Sequence, residues 1–200
     1  MPQGDCTQSH WTTHPARRLT RLPSYDYTQE GAYFITVCTF DRMCLFGEVV
    51  DDIVHPNQFG QAVLDTWSQL PNHYVHVQTC AFVLMPNHVH GVLVIQPTEG
   101  QSPDQNLRHN CRHGLLEVVR AFKTFSARGI NGVRGTRGQP VWQRGYYEHV
   151  VRSEKSLERV CEYVANNPLQ WTLDRDNPGN WREGLKPSPT QRGPGIAGLT

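Results

Sequence analysis

No apolar run in this 200-residue chain is long enough to cross a bilayer. Runs such as residues 91–95 fall far short of the ~20 residues that a membrane helix needs, so a spanning helix is excluded. The start, Met-Pro-Gln-Gly-Asp, lacks the basic-then-apolar pattern of a secretory signal, and a cytoplasmic location is expected. There is no Cys-x-x-Cys pair: Cys6, Cys38, Cys44, Cys80, Cys111 and Cys161 are scattered. That argues against a zinc knuckle and a disulfide framework, and reduced thiols are expected, with Cys38, Cys80 and Cys161 as small core residues. No internal repeat is visible. Lysine is scarce, since 16 of the 19 basic residues are arginine, the better residue for bidentate contact with phosphates and bases.

What is present suits one domain with tails. Hydrophobic residues make up 38% and charged residues 18%, enough for one core with much polar loop. The net charge of +1 hides a segregation. Residues 25–65 hold seven acids against the single base Arg42, whereas residues 108–159 hold eleven bases against four acids. A basic half on a near-neutral chain suits a polyanion held locally, and it equally suits a solvated surface.

The chain divides into three segments: an arm over residues 1–24, the domain over 25–171 and a tail over 172–200. The first is a polar arm with Arg17, Arg18 and Arg21 and no apolar period, expected to be disordered or extended. The last has four prolines and five glycines in 29 residues and adds no second core. Between them, residues 33–40 are rich in β-branched and aromatic side chains and predict a strand. Residues 46–54 suggest a short hairpin. Apolar residues at 59, 63, 67 and 70 after Asn57 predict a capped amphipathic helix, ended by Pro71-Asn72. Residues 75–84 and 88–95 predict paired strands, and 96–113 a polar loop. Leu115, Val118, Val119, Phe122 and Phe125 fall at helical spacing, followed by a glycine- and arginine-containing loop over 129–139. Residues 141–150 are aromatic and extended, with arginine interleaved, a pattern that can stack on bases and bind phosphates and also fits an ordinary strand. Ser153 caps a final helix whose buried stripe is Leu157, Val160, Cys161 and Val164, and Asn166-Asn167-Pro168 closes it.

Two places carry candidate chemistry. In Met85-Pro86-Asn87-His88-Val89-His90, strand alternation puts His88 and His90 side by side on one face and Val89 on the other. Read alone, this is first of all a pair of structural histidines; a divalent metal is the other partner that would justify two imidazoles on an apolar strand. On the last helix, Tyr163 lies roughly 110° from the centre of the apolar stripe and Asn167 roughly 70° on the same side, one turn apart. Taken alone, Tyr163 is an edge-packing aromatic and Asn167 a helix-end residue.

Pro86-Asn87-His88-Val89-His90, then Trp142-Gln143-Arg144 with Tyr147-Glu148-His149, then Tyr163-Val164-Ala165-Asn166-Asn167-Pro168, occur in that order. Together with Tyr27 and Gly31-Ala32-Tyr33-Phe34, they resemble the single-tyrosine HUH transposases, and more narrowly the REP-associated tyrosine transposase group. The similarity runs over about residues 25–171. It implies an α+β fold, a ferredoxin-like antiparallel sheet with helices packed on one face (the HUH endonuclease core). It implies that His88, His90 and Asn167 hold Mg²⁺ or Mn²⁺, with imidazole favouring manganese somewhat. Tyr163 would be the nucleophile, in preference to Tyr146 and Tyr147, which lack an amide one helical turn on. The reaction implied is metal-dependent cleavage and strand transfer of single-stranded DNA near hairpin-forming repeats, through a 5′-phosphotyrosine link that frees a 3′-OH. Gln143, Arg144, Tyr147, His149 and Arg152 would contact DNA or support the site, Lys123 would join the DNA-binding set, and Arg17, Arg18 and Arg21 would form an arm beside the hairpin. Relatives occur as homodimers and as monomers, and no membrane partner is implied. Two other classes stay open: a domesticated module that grips hairpin DNA without cutting, and a small metallohydrolase using His88 and His90 with water.

Overall fold

A computed structural model describes residues 24–97, 113–174 and 176–181. The arm residues Arg17, Arg18 and Arg21 lie outside them. In chain order the elements are β1 (Gly31–Cys38), β2 (Gly47–Val50), β3 (Ile53–Pro56), α1 (Gln58–Ser68), α2 (Leu70–His73), β4 (Val77–Met85), β5 (His88–Ile95), α3 (Leu115–Val133), β6 (Tyr147–Val151) and α4 (Glu154–Ala165). Four strands form one sheet in the order β4-β5-β1-β6, with all pairings antiparallel; β2 and β3 form a separate hairpin. Leaving the hairpin and short α2 aside, the succession β1-α1-β4-β5-α3-β6 with this strand order is the ferredoxin-like arrangement expected.

Alternation along the strands divides the apolar residues between two faces. Tyr33, Ile35, Val37, Val89 and Leu93 join Val63 and Trp67 of α1 and Val118, Val119 and Phe122 of α3 in one core. Gly91 lies between Val89 and Leu93 on this face because Trp67 sits on it: a Cβ there would come within 2.4 Å of the indole. The indole in turn stacks on Phe82, ring centroids 4.4 Å apart, and meets Phe122 edge-on at 5.4 Å. On the opposite face, Phe34, Val92 and Val151 pack with Val160 and Val164 of α4. The helices are therefore not confined to one face. The two helices of the ferredoxin-like unit cover one side, and α4, which follows the last strand, covers the other.

Local chemistry sets the helix starts. Asn57 Oδ1 accepts from the backbone N–H groups of Phe59 and Gly60 at 2.9 and 3.0 Å, and Ser153 Oγ accepts from Ser156 N–H at 3.2 Å. Two stops differ from expectation. Pro71 does not end a helix but occupies the first turn of α2, where its missing N–H is harmless. The helix α3 runs on to Val133, through Gly129 and Gly132, into the stretch expected as a loop. Tertiary packing outweighs the glycines there: Ile130 is fully buried, and Gly129 faces Ala62 of α1. A bulge between Thr79 and Ala81 breaks the register of β4 and leaves Cys80 exposed rather than in the core. Among the described residues no helix is long and apolar enough to cross a membrane.

Candidate functional site

The register of the sheet assembles a polar row on the α4 face. Val83 pairs with His90, His90 with Thr36, and Thr36 with Tyr147, so these four side chains cross the sheet together. The next row is Ala81, Val92, Phe34 and His149. His88 and His90 are both fully buried, with their Nε2 atoms 3.1 Å apart. Phe34 stacks on the His90 ring at 5.4 Å.

From the other side α4 brings the edge of its stripe against this pair. The half-buried Tyr163 puts its hydroxyl 3.5 Å from His90 Nε2, its ring edge-on to Phe34 at 6.0 Å. Asn167, one turn on and just past the helix end, is 2% exposed. Its side chain lies beside His88, where it favours the charged imidazole, yet its buried Oδ1 completes no hydrogen bond among the described residues. His88 and His90 of β5 thus meet Tyr163 and Asn167, on and just after α4, across 73 to 79 positions of chain.

Hydrogen bonding fixes the proton positions. Asn87 Nδ2 donates to the carbonyl oxygens of Arg42 and Asp176, so its Oδ1 is the acceptor facing His88 Nδ1 at 2.8 Å. Nδ1 of His88 therefore carries the proton and its Nε2 has a lone pair. The shared proton of the 3.1 Å contact then belongs to Nε2 of His90, whose Nδ1 accepts from the Thr36 hydroxyl at 2.8 Å. A threonine hydroxyl can reverse that bond and accept instead, which frees the second Nε2 lone pair. Burial holds the His88 imidazole below its usual pKa, and burial, reinforced by His88, holds His90 well below it, so both are neutral at pH 7.

This donor set fits a divalent ion. Two imidazole nitrogens side by side on an octahedral ion, each about 2.1 Å away, stand about 3.0 Å apart, and the separation here is 3.1 Å. The buried amide oxygen of Asn167 beside His88, which completes no hydrogen bond among the described residues, would be a hard third donor. Among the described residues no group of three His, Cys, Asp or Glu side chains could hold a metal ion.

The remaining candidates are more dispersed. Tyr147 and His149 share the site face, and Arg152 beside His149 adds to the effect of burial in lowering that imidazole's pKa. Arg144 is exposed on the loop before β6. Lys123, on α3, donates to the carbonyl oxygens of Gln143 and Gly145 at 2.7 and 2.8 Å and so pins that loop. Sequence reading passed over Thr36, Arg42, Trp171 and Asp176. Strand alternation could have placed Thr36 opposite the histidines; nothing local marks Asp176.

No family model matches the chain. It is 34% identical over 169 residues to an uncharacterised protein of Haemophilus influenzae, spanning 80% of this chain and 92% of that one. It is also 26% identical over 145 residues, 72% of this chain and 74% of the other, to a Haemophilus influenzae protein named as a candidate REP-associated tyrosine transposase. In sequence the chain is similar to the REP-associated tyrosine transposase group. Solved structures similar to this chain include a REP-associated tyrosine transposase bound to a REP hairpin, at 17% identity and TM-score 0.47 over 73% of this chain and 71% of that one. Another is a candidate transposase from Deinococcus radiodurans, at 20% identity and TM-score 0.40 over 73% and 95% of the two chains.

Proposed function

We propose that this chain cuts and rejoins single-stranded DNA next to hairpin-forming repeats, with Tyr163 as the nucleophile. The observation that carries the proposal is the Tyr163 hydroxyl 3.5 Å from His90 Nε2, over a pair of neutral imidazoles and the buried amide oxygen of Asn167 beside His88. His88, His90 and Asn167 would hold Mg²⁺ or Mn²⁺. When bound, that ion supplies charge against the phosphate oxygens and leaves open coordination positions for them.

The chain's own residues do the rest. Tyr163 attacks the phosphorus of a backbone phosphodiester, the bond to the 3′-oxygen breaks, and that oxygen leaves to become a 3′-OH. The tyrosyl oxygen is then linked to the 5′-phosphate, and its proton leaves to solvent or a nearby base. One ester replaces another, so the step reverses when a 3′-OH attacks the phosphotyrosine. Tyrosine is a poor nucleophile near its ordinary pKa of about 10 and needs activation by its surroundings. Phe34 and α4 hold the ring, and the i, i+4 spacing delivers the attacking oxygen and the amide donor from one helix. Tyr147, His149 and Arg152 at the sheet edge, with Gln143 and Arg144 on the loop that Lys123 pins, would guide the strand, and Arg17, Arg18 and Arg21 would grip the hairpin.

Labelled hairpin DNA incubated with Mn²⁺ and then denatured should give a covalent protein–DNA adduct that disappears in Tyr163→Phe. Cleavage unaffected by that change would sink the assignment and favour hydrolysis by water. Tight, salt-dependent binding with no adduct on any repeat hairpin would mark a binding module instead.

A further inference from the structure

The segment after Asn167 returns to the back of the histidines. Two short 3₁₀ turns, Pro168–Leu173 and Pro178–Asn180, are drawn together by Asn177 Nδ2 donating to Trp171 O at 3.0 Å and Asn180 Nδ2 donating to Thr172 O and Asp174 O, both at 2.8 Å. The buried Trp171 ring lies 6.2 Å from that of His88. Asp176, 2% exposed, does two things: its carboxylate pairs with the buried Arg42, and its carbonyl oxygen accepts from Asn87 Nδ2 at 2.6 Å.

We propose that Asn87, clasped by Asp176 and Arg42, is a positioning residue for the metal seat: it holds His88 as the Nδ1–H tautomer and aims the Nε2 lone pair at the donor set. This rests on reading His88, His90 and Asn167 as metal donors. No other proton arrangement fits the hydrogen bonds. Turning the Asn87 amide over would set its oxygen against two carbonyl oxygens, those of Arg42 and Asp176. Moving the His88 proton to Nε2 would set a bare Nδ1 against the Asn87 Oδ1 lone pairs at 2.8 Å. The backbone of the same corner is tied down too, because Asn87 O accepts from both Thr39 N–H and Thr39 Oγ1, at 2.9 and 3.0 Å. The imidazole is thus fixed by its amide, and the amide by a stretch of chain 89 positions later. Groups that orient a metal-bound histidine through its other nitrogen typically change metal affinity by about 10- to 100-fold when lost.

Two readouts on the full chain test this: imidazole ¹⁵N shifts in the metal-free protein, and Mn²⁺ titration by calorimetry. The wild type should show His88 protonated at Nδ1. Asn87→Ala should lose that preference and weaken Mn²⁺ binding by about 10- to 100-fold. Asn87→Asp keeps an acceptor for Nδ1–H while losing both donors, so it should restore the tautomer, which a purely structural role would not. Asp176→Ala keeps the carbonyl that accepts from Asn87 but removes the carboxylate whose pairing with Arg42 seats it there, and it remains informative if Asn87→Ala does not fold; about a tenfold weaker Mn²⁺ affinity is expected. A wild-type His88 protonated at Nε2, or Mn²⁺ affinity within about twofold of wild type in Asp176→Ala and any folded Asn87→Ala, would overturn the proposal. A wild type that binds no Mn²⁺ but shows an Nδ1–H signal lost in Asn87→Ala would overturn the metal reading alone and uphold the tautomer assignment.

Discussion

The two faces of the central sheet are built from the same strands and do different work. On one, Val89, Gly91 and Leu93 of β5 meet Trp67 and Phe122 in a dry core. On the other, His88 and His90 of that strand meet Thr36, Tyr163 and Asn167, a face that buries polar groups, among them an amide oxygen that completes no hydrogen bond among the described residues. A period of two lets one strand serve both, since each face sees only alternate residues. The first face is stabilised by packing. The second gives up some packing for buried polar groups, which are costly to bury unless they are hydrogen-bonded.

Substitutions should separate the faces, and the largest effect is on chemistry. Tyr163→Phe should reduce covalent adduct by at least about 1,000-fold, as loss of a nucleophile does, with its melting temperature close to wild type. An adduct of normal yield would place the nucleophile elsewhere. Trp67→Ala attacks the dry face and should cost about 3–5 kcal/mol of stability, measured by urea unfolding. A cost below about 1 kcal/mol would contradict the packing of Gly91 against the indole.

A third test uses pH on the metal-free protein. The folded-state pKa of both His88 and His90 lies below the usual 6.5. Below about pH 6.5 the unfolded chain therefore binds protons that the folded chain does not, and stability falls as pH falls. The slope is at most about 1.4 kcal/mol per pH unit for each imidazole, and this stability is fully present above that pH. Urea midpoints at pH 7 and pH 5 measure it; equal midpoints would contradict neutral burial of the pair. The smallest effect compares two helix caps. Asn57→Ala at α1 and Ser153→Ala at α4 should each cost about 1 kcal/mol, but only Ser153→Ala should lower the adduct yield at saturating DNA, because only α4 carries Tyr163. Equal loss of yield in both would mean the faces are not separable.

How much of this was legible in the sequence follows from range. Period two placed His88 and His90 on one side of β5, and period 3.6 put Tyr163 and Asn167 together at the edge of the α4 stripe. Both are properties of a few neighbouring residues. The same reasoning failed where distant packing outweighed local preference. Gly129 and Gly132 looked like the start of a loop, yet Ile130 buries its side chain and α3 continues to Val133. The stretch after residue 171 looked like a tail, yet Asp176 docks on Asn87. Nothing in Asp176's neighbourhood signals a partner 89 positions earlier.

The sequence by itself determined which side chains share a face, because backbone geometry repeats over two residues in a strand and 3.6 in a helix. Only the tertiary structure decided that α4 covers the face opposite α1 and α3. It alone brought the Tyr163 hydroxyl within 3.5 Å of His90 and let the chain beyond Asn167 close behind His88. Those contacts depend on which surfaces are left to bury once the ferredoxin-like unit has formed, and no local pattern of residues encodes that.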